Sequence, residues 1–414
     1  MDENIYIHEY DNGVRLLHHQ ISGSAIAHCG FFINCGSRDE QEGEVGLAHF
    51  IEHMLFKGTK KRKSHHILNR MDNVGAELNA YTSKEKTCIY SSFPQQFFER
   101  AVELICDITY NSTFPEIELV KERNVVADEI TMYQDNPDES LYDDFLEVYY
   151  KDHSLGNNIL GSIESLNSFN SKNLQKFVKR SYHNTNMVFA TVGSLPFEKV
   201  KTICSKYINN SPYKANTITR IKPKPAKPFA KEIKKDLHQM YCMLGYKAYQ
   251  NNHPNKYKVI LLNNILGGPA MNSRLNMGIR EKYGFCYNIY SDVQSFVDTG
   301  LATVSFATDQ KNFDRCLQLV HKEIELFKNK KMSTLQLATS KRQFIGQMQM
   351  SEENKSAVLT AIASALLDNG RVATFKEVAA EIEKTTASKL MDMANEIWDS
   401  KHLCSLSYVP KNDK

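Results

Sequence analysis

The pentapeptide His49-Phe50-Ile51-Glu52-His53 sets two imidazoles and a carboxylate at helical spacing. In a helix, residues three and four apart share a face, so His49 and His53 stand one turn apart with Glu52 beside them. Neutral imidazole is a good zinc ligand, and a catalytic zinc takes three protein ligands while leaving one position to water. Two ligands on one helix therefore call for a third elsewhere. Glu52 is placed to take a proton from water that the metal has acidified. Leu47, Phe50, Ile51, Met54 and Leu55 around the motif read as a buried helix, where three ionisable side chains on one stripe need partners. The third ligand is expected to be an acid on another helix. The stretch PEIELVKERNVVADEITMY offers Glu116, Glu118, Glu122, Asp128 and Glu129. Glu122 and Glu129 lie seven apart and share a face, which Val125 and Val126 mark as inward-pointing. Spacing alone does not choose among these acids.

The elements that must hold these residues can be read from pattern. A helix is expected from about Val45 to Phe56, and a hairpin around Asp11-Asn12-Gly13. A strand is expected over 25–34, paired strands within 75–93 and a helix over 97–110. A second long helix starts near Pro115 and is stopped by Asn136-Pro137. A strand over 186–195 closes this half. Prolines 212, 223, 225 and 228 mark a linker. The resulting division is 1–210, a linker 211–230, and 231–414.

The second half repeats the order: strand, helix, two strands, two helices, closing strand. Glu52-His53-Met54-Leu55 falls on Asn263-Asn264-Ile265-Leu266 at an offset of 211, and Gly75 on Gly284 at 209. Steady offsets through several elements indicate duplication. The expectation is an α+β chain of two homologous domains, each a mostly antiparallel sheet with helices packed on it. Asn263 and Asn264 replace Glu52 and His53, and Glu129 falls on Gln347 or Met348. One metal site per chain follows, in the N-terminal half.

The 414 residues are 42% hydrophobic and 24% charged, with a net charge of +3, which excludes a disordered or collagen-like chain. Near-neutral charge gives no reason to expect nucleic acid as a partner, and no apolar run reaches the ~18–20 residues of a membrane helix. The opening residues show no secretory signal. Nine scattered cysteines without a CxxC read as reduced thiols in a reducing compartment. Cys29 and Cys35 are expected to be small core residues. His18-His19 and His65-His66 read as surface pairs, the basic run Lys57–Lys63 as a solvated loop, and Gly267-Gly268 as a helix end and not a phosphate loop.

HFIEH is the inverted zinc motif HxxEH of the inverzincins. HFIEHMLFKGT, ELNAYTSKEKTCIY and ERNVVADEI together resemble the pitrilysin/insulinase group of zinc metallopeptidases. The similarity is greatest to its short-chain branch, which includes mitochondrial processing peptidase and its bacterial relatives, and it covers essentially the whole chain. The resemblance implies a third zinc ligand about 76 residues after the second histidine, which is Glu129. It implies that Glu122 holds a ligating histidine, that Glu52 is the general base, and that Asn79, Ala80 and Tyr81 lie on an edge strand that binds extended substrate. It also implies that Arg280 and Tyr287 contact substrate and the developing oxyanion. Four such domains enclose a chamber in this group. A two-domain chain is thus expected to form a dimer, here a homodimer acting on short or unfolded peptides, with Arg280 and Tyr287 serving the partner's zinc. The group also contains scaffold subunits that have lost the motif and heterodimeric processing peptidases. The expected location is a bacterial cytoplasm, because the chain begins with Met and no basic presequence; an organelle enzyme shorn of its targeting segment fits the same residues.

Overall fold

Strands rich in β-branched and aromatic residues alternate with amphipathic helices in the computed structural model, which describes residues 4–214 and 216–411. Residues 1–3, part of the opening read above for a signal segment, lie outside them. In chain order the first elements are β1 (Ile5–Glu9), β2 (Arg15–Gln20), β3 (Ile26–Ile33), α1 (Leu47–Leu55), α2 (Ser64–Asp72), β4 (Glu77–Thr82), β5 (Thr87–Pro94) and α3 (Phe98–Asn111). Then come α4 (Glu116–Asp135), α5 (Pro137–Tyr149), α6 (Ile163–Ser168), α7 (Ser171–Ser181), β6 (Met187–Gly193) and α8 (Phe197–Ile208). After the proline-rich linker follow β7 (Phe229–Lys235), β8 (Met240–Lys247), α9 (Lys256–Gly267), β9 (Cys286–Ser295), β10 (Gly300–Thr308) and α10 (Phe313–Asn329). The chain ends with α11 (Thr334–Ser351), α12 (Lys355–Asn369), α13 (Phe375–Glu383), α14 (Ala387–Ile397) and β11 (Cys404–Pro410).

Two sheets result, and their topologies coincide. The first has the order β1-β2-β6-β3-β5-β4, the second β7-β11-β8-β10-β9. Setting β1 aside, β2 matches β7, β6 matches β11, and so on across both sheets. In each, the first pair is parallel and the other three are antiparallel. The duplication read from sequence offsets is thus present strand for strand.

The compact units do not follow the chain contiguously. One comprises 1–132, 157–221 and 351–374; the other comprises 133–156, 222–350 and 375–414. The change near residue 221 falls in the proline-rich linker. Each half also lends the other a helix. Phe145 and Leu146 of α5 are buried with Met243 and Leu406 of the second sheet, and Leu359 and Ala363 of α12 are buried with Phe32 and Val188 of the first. Pro137 explains the departure of α5: it ends α4 because it has no N–H to donate, and it opens α5 at N1, where none is needed. No periodicity signals this exchange, because apolar positions in a helix do not say which sheet they meet.

All nine cysteines are free and buried. His18 and His19, read as surface residues, are buried instead. The His18 ring is held between Thr191 Oγ1 at 2.6 Å and the Leu195 carbonyl at 2.9 Å. β2 is flanked by strands on both sides, so its side chains go into the core whatever their polarity. His65 and His66 are exposed, as expected.

Candidate metal centre

Helix α1 begins at Gly46, whose φ of 93° suits only a residue without a side chain. A Cβ there would lie 2.6 Å from the Leu160 carbonyl oxygen. The first turn is capped from outside the helix. The buried Glu40 carboxylate accepts from the Gly46 N–H at 3.1 Å and the Ala48 N–H at 2.8 Å. An anion at a helix N-terminus is favourably placed, although burial pushes the Glu40 pKa well up. Phe50, Ile51, Met54 and Leu55 anchor α1 in the core, which fixes the rotation of the helix and thus the direction of its polar stripe.

That stripe carries the predicted set. The His49 and His53 rings are 4.7 Å apart between centroids. Glu129, on α4, closes the group: its Oε2 lies 3.7 Å from His49 Nε2 and 3.3 Å from His53 Nε2. One ligand atom from each residue falls within 4.8 Å of the others. With metal–ligand bonds of ~2.0–2.1 Å, tetrahedral ligand atoms stand about 3.3–3.4 Å apart. Both carboxylate–imidazole distances are within a few tenths of an ångström of that spacing, so the donor set suits a tetrahedral zinc. Of the five acids left open by spacing, Glu129 is the one that meets both rings.

Around this set stand three further residues. Glu122, one of the few buried residues of α4, accepts from His53 Nδ1 at 2.9 Å. Lys57 Nζ lies 2.5 Å from the other Glu122 oxygen. This corrects the reading of Lys57–Lys63 as a solvated loop: Lys57 is paired with Glu122, and Arg62 grips Glu103 and Asp107. Lys57 lies just past the end of α1, so helical spacing does not point to it and only the fold brings it to Glu122. The α4 face needs a second correction: Val126 is buried, but Val125 is 51% exposed. Thr82 is the third addition. Its hydroxyl donates to Glu52 Oε2 at 2.7 Å, a link from β4 to α1 that no sequence spacing reveals.

The electrostatics divide the two histidines. Burial, and then the neighbouring His53 charge, push His49 down to about 4. Burial would lower His53 too, but its hydrogen bonds to Glu122 and Glu129 outweigh that and lift it to about 9. Hydrogen bonding to His53 lowers Glu129. Glu122 falls as well, since His53 and Lys57 overcome its burial. Glu52 is raised, chiefly by burial, against the pull of Thr82 and His53. A carboxylate raised in this way is a better proton acceptor from water.

The remaining predicted residues lie in two places. Asn79, Ala80 and Tyr81 are on β4, the edge of the first sheet, paired to β5 on one side only. Alternation puts Ala80 on the face of Thr82 and Glu52, and Asn79 and Tyr81 on the other. Arg280 and Tyr287 belong to the second unit. The Arg280 guanidinium lies 5.5 Å from the centroid of Tyr287, which is 85% exposed. At the counterpart of the metal centre, Asn264 Nδ2 donates to Gln347 Oε1 at 2.9 Å. That contact identifies Gln347, not Met348, as the match of Glu129: an amide–amide hydrogen bond occupies the place of His53 and Glu129.

A two-sheet α+β fold with an inverted HxxEH helix and a distant glutamate defines the zinc metallopeptidase-like class of inverzincins. Residues 15–163 match the family model described as insulinase, peptidase family M16, and residues 168–344 match that of the peptidase M16 inactive domain. The chain belongs to the M16 family. It is 31% identical to the uncharacterized zinc protease YmxG of Bacillus subtilis (strain 168), over 95% of this chain and 96% of that protein. It is 30% identical to an uncharacterized zinc protease of Rickettsia felis, over 97% and 96%. In fold it resembles a crystal structure described as a peptidase M16 inactive domain from Pseudomonas fluorescens, with TM-score 0.91, 19% identity and 99% of both chains covered. It likewise resembles a protease from Helicobacter pylori, with TM-score 0.91, 21% identity, and 98% and 100% covered. No helix among the described residues is long and apolar enough to cross a membrane.

Proposed function

We propose that the chain is a zinc-dependent endopeptidase for short or unfolded peptides, working as a homodimeric chamber. The observation that carries this reading is the convergence of His49, His53 and Glu129, with Glu52 beside them and anchored by Thr82. His49, His53 and Glu129 would hold a zinc ion, which would supply Lewis acidity toward a peptide carbonyl and toward water. Glu52 takes the proton of the attacking water, then returns it to the leaving amine. Glu122 fixes the orientation of His53. Extended substrate adds as a strand to the free edge of β4 at Asn79, Ala80 and Tyr81, so main-chain bonds give affinity with little sequence preference. Arg280 and Tyr287 bind substrate and would stabilise the oxyanion developing in the site of the partner chain. Nine buried free thiols and bacterial relatives support a cytoplasmic site of action.

Zinc content and cleavage of quenched peptides, with and without a chelator, test the reading. The native chain is expected to hold one zinc and lose activity on chelation. Glu52→Gln is expected to keep the zinc and lose at least about a hundredfold in turnover, the low end of a general base's contribution. Near-normal hydrolysis by that variant removes Glu52 from its role. A chain with neither metal nor cleavage is a scaffold subunit. A chain active only with a second, different chain is half of a heterodimeric processing peptidase.

A further inference from the structure

The second unit holds a cavity that the proposed peptidase chemistry does not use. It has a volume of about 350 Å³, lies between α9, the turn that follows it and α11, and borders Asn264, the counterpart of His53. This is the size range of small-ligand pockets. Arg274 lines both this cavity and a neighbouring one of about 340 Å³.

Arg274 is half-buried and stacked, its guanidinium carbon 3.7 Å from the centroid of Phe327. Among the described residues it makes no hydrogen bond and no ion pair. Glu323 acts on it only as a nearby charge, while Lys330 and Lys331 line the neighbouring cavity. A guanidinium covered on one face by a ring keeps its in-plane N–H groups for a partner. The partner that best matches that planar fork is a carboxylate, held by two parallel bonds.

The rest of the wall narrows the choice. Asn272 and Gln343 exchange reciprocal amide hydrogen bonds of 3.1 and 2.9 Å. Each amide retains one N–H and one lone pair, the two groups a peptide unit requires. Met332 and Leu335 add apolar surface, and Leu335 is 77% exposed. Phe327, already covered by Arg274, offers no free ring on which a nucleotide base could stack.

We infer that this cavity binds the C-terminal end of a peptide. The α-carboxylate sits on Arg274, the last main-chain amide on Asn272 and Gln343, and an apolar last side chain on Met332 and Leu335. The site lies wholly in the second unit and needs no metal, so its failure and that of the peptidase reading are separate results.

Calorimetric titration of the full chain tests the inference. Divalent metal is first stripped with a chelator, so that no carboxylate can be held by zinc. The probes are acetyl-Ala-Ala-Leu as the free acid, the same peptide as its C-terminal amide, and inorganic phosphate. The free acid is expected to bind saturably and the amide about tenfold more weakly or worse, because the charge-assisted bonds are lost. Arg274→Gln keeps a flat polar group over Phe327 and is expected to erase the difference between acid and amide. Leu335→Asp, at an exposed position, is expected to weaken the acid about tenfold. Equal binding of acid and amide, phosphate binding as tight as the peptide acid, or no binding of the acid overturns the assignment. Should Arg274→Gln fail to fold, the acid-to-amide comparison on the unaltered chain and Leu335→Asp still decide it.

Discussion

The two ligand histidines differ in how firmly each holds a proton. His53, hydrogen-bonded to Glu122 on one ring nitrogen and facing Glu129 on the other, is charged at neutral pH, while buried His49 is neutral. Zinc must displace that proton, so the residues that set the basicity and orientation of His53 also set metal affinity. Glu122 is the first of these, and Lys57 acts through it. Glu122→Gln is expected to weaken zinc binding about 10–100-fold in chelator competition, the usual cost of losing an outer partner of a ligating histidine. Lys57→Met should weaken it less. The double variant should resemble Glu122→Gln alone, because residues in one chain of contacts are not additive. Full additivity of the two losses would break the proposed Lys57–Glu122–His53 relay. At this scale, what could be read in the sequence was what helix geometry converts from spacing to proximity: His49, Glu52 and His53. Glu129 and Glu122 needed the family resemblance, because α1 and α4 meet only in the fold. Lys57 lies beyond the end of α1 in a basic run, and Thr82 reaches Glu52 only through the placement of β4.

At the scale of the element, burial can override the polarity of a residue. β2 contains the two adjacent histidines His18 and His19, yet it lies inside the sheet and both are buried. The Leu195 carbonyl can only accept, so it fixes the His18 proton on Nε2 and leaves Nδ1 to the Thr191 hydroxyl. Burial holds the His18 pKa down to about 4, against an ordinary 6.5, although its hydrogen bond to the Leu195 carbonyl works the other way. The sign follows directly. Above about 6.5 neither the folded nor the unfolded chain carries the proton, and stability is full. As pH falls from about 6.5 towards 4, only the unfolded chain takes it up, and stability declines. The loss is on the order of 3 kcal/mol for this group, taking ~1.4 kcal/mol per pKa unit. His18→Gln cannot titrate, so it should flatten that part of the curve of urea midpoint against pH. An unchanged slope would mean that His18 is not the group responsible. Strand β3 was legible because its apolar run persists, spanning Ile26–Ile33 against an expected 25–34, and α4 was legible from the prolines at its two ends. The exchange of α5 and α12 was not, since an amphipathic pattern specifies a buried face and not the sheet that buries it.

For the whole molecule, the duplication has left two unlike halves on one sheet plan. The half with the HxxEH helix carries the donor set, and its sister has an Asn264–Gln347 hydrogen bond at the same place and carries Arg280 beside Tyr287. If those two side chains serve the zinc of the partner chain, a homodimer has two sites, each assembled from both chains, and the arrangement can be tested by mixing. Glu52→Gln homodimers lack the base in both sites, and Arg280→Ala/Tyr287→Phe homodimers lack the anion-stabilising pair in both. Each should be inactive or nearly so on a quenched peptide. Unfolding and refolding them together in equal amounts should give about half mixed dimers, by random pairing of subunits in a two-fold assembly. In a mixed dimer one site then contains both defects. The other combines an intact base from one chain with an intact arginine and tyrosine from its partner. About a quarter of the native activity should therefore return, one working site in half of the dimers. An arrangement in which each chain serves its own zinc predicts no recovery, since every site retains one defect whatever the pairing. A chain that stays monomeric at the concentrations where it cleaves peptide would remove the chamber and the shared site together, while leaving the zinc chemistry of α1 and α4 in place.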